Sequence, residues 1–326
     1  MINKERNIIS VSKRTDIPAF YSEWFHNRVE EGYALYRNPF NLNQEIRVSL
    51  DPEHVIAFVF WSRNPEPLIK YLPSLEKRGY KFYFHFTINN YPQNIDKSTP
   101  NIGKTIDTFK KLSELYGKEL VQWRYDPILF SNHMTTNWHI DNFELLNEKL
   151  SGYTERCYFS FIDYYLKTKK RLKELENNSE IKFYEENEQN ESIYKIVPIL
   201  DEIGFNNNIK LYSCNERIVE ILIKDNILKN TTKAHCIDID IIKRISANNN
   251  LFANIEKCGC FYSKDIGAYD SCMYKCLYCY ANVNFEKRSK DRLINHDPKS
   301  ALLIDERKLD THTNDDRFKK DQLELF

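Results

Sequence analysis

The chain has 326 residues, 41% hydrophobic and 14% aromatic, enough for one large domain or two ordinary ones with a sizeable core. Its 47 basic and 47 acidic residues cancel, which argues against a broad non-specific grip on polyanions and leaves a local basic groove as the route to such a partner. No apolar run approaches the roughly 18 residues of a membrane helix. The opening MINKERNIISVSKR has no signal-peptide pattern, so a cytoplasmic protein without membrane contact is expected.

Strands are predicted at 7–12, at 34–37 and 45–50 as a hairpin, and at 55–61, 81–88, 120–125, 156–162, 208–213 and 263–269. Helix-period stretches lie between them at 20–31, 66–78, 102–116, 137–150, 192–203 and 216–224. Alternating strand and helix means a parallel sheet with helices outside, an α/β fold. About eight such units across residues 1–298 predict a β/α (TIM-like) barrel, closed or partly open. A doubly wound open sheet is the alternative, but no G-x-G-x-x-G follows the first strand. The polar, acidic stretch 178–191 reads as a surface insertion, and the charged stretch 299–326 as a flexible C-terminal tail.

Polar residues recur where strands end. The first runs into SKRTD (Arg14, Asp16), the third into WSRNP (Arg63, Asn64) and the fifth into WRYDP (Arg124, Asp126). The fourth carries His85 and the sixth ends at Asp163. Parallel strands bring their carboxyl ends to one face, where barrel active sites are built. Paired Arg and Asp at two such ends favour a site over ordinary loop polarity. Arg14, Asp16, Arg124 and Asp126 are the catalytic candidates.

None of the eight cysteines precedes Cys157, and the other seven lie in the second half. In a reducing compartment, clustered thiols point to metal or catalysis rather than crosslinks. Cys272, Cys276 and Cys279 follow a strand-like SKDIGAYD in C-x3-C-x2-C spacing, ahead of a helix-compatible stretch. Three thiolates from one loop can hold three irons of a cubane and leave the fourth unclaimed by protein. Cys214, Cys236, Cys258 and Cys260 would suffice for a second, fully ligated cluster or a structural zinc, with buried, inert thiols as the alternative. Cys157, in RCYFSF, reads as core.

The run Cys272-x3-Cys276-Leu277-Tyr278-Cys279 resembles the signature of the radical S-adenosylmethionine (SAM) superfamily. That resemblance implies a 4Fe–4S cluster held by Cys272, Cys276 and Cys279, with SAM chelated at the open iron. It also implies a 5'-deoxyadenosyl radical made with one electron from a donor such as flavodoxin or ferredoxin. Tyr278 would pack near cluster and adenine, with Arg63, Asn64 and His85 as further cofactor-binding candidates. The extended YCYAN is similar to the spore photoproduct lyase branch, which acts on DNA. In most of the superfamily the cysteine loop follows the first strand; here it follows the last, so a circularly permuted barrel is expected, with 263–269 beside 7–12. The chain as a whole resembles a bacterial family of unknown function with this C-terminal cysteine cluster, through ISVSKRTDIPAFYSEWF, FWSRNPEP, WRYDPILF, CGC and IGAYDSCMYKCLYCYAN.

The chain ends in Gln322-Leu323-Glu324-Leu325-Phe326, apolar anchors at the tip of a charged segment. QLELF resembles the peptide by which replication and repair proteins bind the bacterial DNA sliding clamp, with Gln322, Leu323, Leu325 and Phe326 entering the groove. Three functions follow: a radical SAM enzyme on DNA or a nucleotide-like substrate, recruited by the clamp; the same chemistry on a small molecule or peptide; or a zinc- or cluster-stabilised binding protein without catalysis.

Overall fold

The computed structural model describes residues 6–39, 41–246, 255 and 259–305. Its strands are β1 (Asn7–Val11), β2 (Tyr33–Asn38), β3 (Asn41–Ser49), β4 (Val55–Ser62), β5 (Phe82–Thr87), β6 (Val121–Ile128), β7 (Arg156–Phe161), β8 (Lys210–Ser213), β9 (Thr231–Lys233) and β10 (Ser263–Asp265). Eight of them form one sheet in the order β10-β1-β4-β5-β6-β7-β8-β9, and each neighbouring pair is parallel. β2 and β3 stand apart as an antiparallel hairpin.

Sequence alternation explains how the sheet is packed. β4 (VIAFVFWS) and β5 (FYFHFT) are buried along nearly their whole length, as parallel strands covered on both faces must be. Period two then splits their side chains. Phe58, Phe60, Phe82, Phe84 and Phe86 join the main core, with Phe109 and Leu112 of the helix Ile102–Tyr116. That helix starts where the Asn101 side chain accepts the Gly103 N–H. Ala57, Val59 and Tyr83 instead join Ile8, Phe261 and Ile241 and Ile242 of the short helix Ile239–Ser246 in a second core.

Of the expected barrel, closed or partly open, the described residues give the parallel α/β sheet and no closing ladder. The sheet has two ends, β9 and β10, which are not ladder partners among the described residues. Each is only three residues long, and each pairs along its one described ladder, β9 with β8 and β10 with β1. The seam is bridged by the Phe261 N–H, which donates to the Ile237 carbonyl at 3.1 Å. The other expected neighbour relation does form: Ile8, Ile9 and Ser10 pair in parallel with Ser263, Lys264 and Asp265.

Other differences have local causes. The helix Leu166–Asn177 escapes the periodicity reading because it is highly charged and buries only Thr168 and Leu172. Residues 186–191, expected in a surface insertion, are the first turns of the helix Glu186–Asn206, started by a capping box between Glu185 and Glu188. Residues 299–305, expected in the mobile tail, are docked: Trp24 Nε1 donates to the Ser300 carbonyl at 2.8 Å, and Leu302, Leu303 and Ile304 are buried. The QLELF residues Gln322, Leu323, Leu325 and Phe326 lie outside the described residues, as does Cys258. Among the described residues, no helix is long and apolar enough to cross a membrane.

Candidate metal centre and the sheet edge around it

Because the sheet is parallel throughout, its carboxyl ends form one edge, and the loop after β10 carries the three cysteines to it. The loop's path is held from several sides. Asp270, at φ 54°, takes the Val283 N–H on its carboxylate, and the Asn282 side chain donates to the Cys272 carbonyl at 3.2 Å. These bonds fold residues 279–284 back over the loop, so the helix expected to follow Cys276 does not start there; the next turn is Phe285–Ser289. Arg171 of the helix Leu166–Asn177 donates to three loop carbonyls: Leu277 at 2.8 Å, Asn282 at 2.7 Å and Cys279. From the segment after β5, the Ile95 carbonyl accepts the Leu277 N–H at 3.1 Å, and the Ser98 N–H donates to the Tyr274 carbonyl at 3.1 Å. Tyr21 Oη donates to the Ser271 carbonyl at 2.6 Å.

The sulfurs sit in surroundings that suit thiolate ligands. The backbone amides of Tyr274 and Asp16 favour the thiolate form of Cys272. Cys279 accepts from the Ala281 N–H at 3.3 Å and from the Asn282 side chain at 3.8 Å. Cys276 is buried with Tyr91, Ile95, Leu277 and Tyr278, near the Arg63 charge. Burial pushes the free Cys272 and Cys276 thiols well up, opposed by these amides and by Arg63 respectively. Among the described residues, no three His, Cys, Asp or Glu side chains enclose a single ion as they stand. A cubane engages each thiolate at a different iron, so it needs a wider spread than one ion does. Donor type, loop origin and N–H···S bonds therefore fit a three-thiolate cluster.

Beside the loop lies a buried polar knot. Arg63 Nη1 bonds Asp96 at 2.7 Å, Tyr278 Oη donates to the other Asp96 oxygen at 2.7 Å, and Arg63 Nη2 donates to Tyr278 Oη. Asn89 adds a donor to Tyr278 Oη at 3.3 Å, and its Oδ1 accepts the Asp126 N–H at 2.9 Å. Arg63, Asp96 and Asn89 also border a cavity of about 340 Å3. Asp16 is enclosed nearby, accepting from the Ser62 hydroxyl at 2.7 Å, the Arg63 N–H at 2.7 Å and the Ala19 N–H at 3.0 Å. Burial pushes its carboxyl up to about 7 despite those donors.

The remaining expected residues divide between this knot and a second region. Arg124 grips Asp126 through Nε at 3.0 Å and Nη2 at 2.6 Å, and Asp126 also accepts from Ser160. Arg124 Nη1 faces Cys236 Sγ at 3.9 Å. Cys236 Sγ is 3.7 Å from Cys214 Sγ, and its amide donates to Cys260 Sγ at 3.2 Å. Bonds from Cys214 and Cys260 hold the Cys236 thiol well below its ordinary range, and Arg124 adds to the effect. His85 belongs here rather than beside the loop: its Nε2, which must carry the proton, donates to the Cys236 carbonyl at 2.7 Å, and its ring stacks on Trp61. Burial lowers His85 to about 3, so the ring is neutral. Arg14 is drawn to the β1–β10 seam, 3.9 Å from Asp265 and against the rings of Tyr36 and Tyr269. Asn64 spends its side chain on the Glu66 N–H at the next helix start. Cys157 is fully buried in the main core.

Sequence reasoning missed Asp96, Arg171, Asn89 and Asn282. Asp96 and Asn89 lie in an irregular segment beyond β5, where no period marks an inward residue. Arg171 had one available signal, the buried pair Thr168 and Leu172 at helical spacing.

No curated protein matches this chain. The family model described as "Domain of unknown function (DUF1848)" matches residues 8–281, and the chain belongs to that family.

Proposed function

We propose that this chain is a radical SAM enzyme: Cys272, Cys276 and Cys279 hold a 4Fe–4S cluster, and SAM is bound at its open iron. The observation that carries the reading is the single loop of three cysteines at the carboxyl edge of a parallel sheet, with two N–H donors aimed at the Cys279 sulfur. When bound there and reduced, such a cluster would supply one electron for cleaving SAM into methionine and a 5'-deoxyadenosyl radical. The chain's own residues do the rest. Arg171 fixes the loop backbone, and Tyr278, locked between Arg63 and Asp96, walls off the side facing β5. The polar cavity bordered by Arg63 and Asp96, at about 340 Å3, is in the range of small-molecule sites. Asp16, with its carboxyl near 7, can hold or release a proton at neutral pH. β10 lying beside β1 supports a circularly permuted β/α barrel.

The substrate assigned is DNA or a nucleotide-like molecule, reached through the sliding clamp by the QLELF tail, in a cytoplasmic enzyme served by a flavodoxin- or ferredoxin-type donor. The balanced charge of the chain favours one other reading, the same chemistry on a small molecule or peptide. The test is anaerobic reconstitution followed by incubation with SAM and a reductant. Formation of 5'-deoxyadenosine by the wild type and not by Cys279→Ser is expected; none from either removes the enzyme class.

A further inference from the structure

We infer that Cys214, Cys236 and Cys260 form a second metal site, for one soft divalent cation of the zinc type, distinct from the loop 272–279. Cys214 and Cys236 have their sulfurs 3.7 Å apart. Two thiolates on one tetrahedral zinc, at bonds of about 2.3 Å, stand about 3.8 Å apart. A disulfide needs about 2.05 Å, so this pair already has the edge length of a shared ion. Cys260 is the third ligand: its sulfur accepts the Cys236 N–H at 3.2 Å, and N–H···S bonds of this kind orient metal thiolates. The three do not enclose an ion as they stand.

Position in the fold points the same way. Cys214 follows β8, Cys236 follows β9 and Cys260 precedes β10, so the three meet where the sheet has its two ends. Strands of three residues give that seam few ladder bonds, and a metal crosslink would hold it shut. Arg124, 3.9 Å from Cys236 Sγ, offsets part of the negative charge that three thiolates bring. The inference is independent of the proposed reaction, since it uses none of the loop cysteines.

Two measurements test it. The full chain carrying Cys272→Ser, Cys276→Ser and Cys279→Ser is titrated anaerobically with Co(II). A thiolate-to-cobalt charge-transfer band should saturate at one equivalent and be displaced by Zn(II). Adding Cys214→Ser should weaken Co(II) binding by more than about tenfold. On the unmutated chain, Zn(II) should protect Cys214, Cys236 and Cys260 from alkylation, read residue by residue by peptide mass mapping; this arm holds even if a variant does not fold. Equal alkylation of the three with and without Zn(II) overturns the site. So does a charge-transfer band unchanged by Cys214→Ser. Either result leaves iron binding at the loop as a separate question.

Discussion

Two groups of cysteines are built in opposite ways. Cys272, Cys276 and Cys279 come from one short loop, and distant residues, Arg171, Tyr21 and Ile95, only hold that loop in place. Cys214, Cys236 and Cys260 come from three segments separated by helices and strands, and only the strand order brings them together. The first group's spacing carries its chemistry. The second group's chemistry exists only once the fold does. Perturbing the loop should therefore change metal content with little effect on the seam, while perturbing the framework should cost stability.

The largest effect expected is on iron. Cys276→Ala should lose its bound iron after anaerobic reconstitution while zinc at the second group is retained, measured as metal per chain. Iron retained at the wild-type level would break the division between the two regions. Next is the polar knot beside the loop. Asp96→Ala leaves the Arg63 guanidinium and Tyr278 Oη without their acceptor in a buried place. Breaking such a pair costs about 3–5 kcal/mol, to be read from urea unfolding; a loss below about 1 kcal/mol would mean that water replaces the carboxylate.

That knot also marks the limit of what the sequence made legible. Strand–helix alternation gave a parallel α/β sheet, and the C-x3-C-x2-C spacing gave the loop, because both are local patterns with a fixed period. The neighbour relation of β10 and β1 followed from assuming a permuted ring, and the pairing forms, while no closing ladder is present among the described residues. β9, the sequence TTK, is too short to show any period. Asp96 and Arg171 act through partners that are far away in sequence, and beside Asp96 no local pattern marks the role. His85, Arg14 and Asn64 were right in strand position but are spent on Cys236, Asp265 and a helix start. Strand ends say which edge a residue reaches and not which neighbour it meets there.

A smaller effect should appear with pH. Burial raises the Asp16 carboxyl from 3.8 to about 7, so the folded chain holds that proton more tightly than the unfolded chain does. Its contribution is then full below about pH 4 and is lost as pH rises toward 7, where the charged form must stay buried. Asp16→Asn keeps a hydrogen-bond acceptor and removes the titration. Unfolding at pH 5 and pH 8 should show the variant gaining on the wild type as pH rises; parallel pH profiles would place Asp16 in contact with water.

The smallest effect on stability is expected at the tail. Leu325→Ala with Phe326→Ala should change unfolding by less than about 0.5 kcal/mol and abolish binding to purified sliding clamp. Equal clamp binding by the full chain and the variant, or none by either, would cut the link to replication and repair and favour the small-molecule reading.

The division of labour between the two cysteine groups rests on one claim, that the loop 272–279 holds a cluster with an iron open to SAM. Electron paramagnetic resonance of the anaerobically reconstituted, reduced chain tests it most directly, recorded with and without SAM. A cluster signal that shifts on adding SAM, and is absent from the Cys272→Ser, Cys276→Ser, Cys279→Ser variant, is the expected result. A signal indifferent to SAM, or one that survives in the variant, would contradict it.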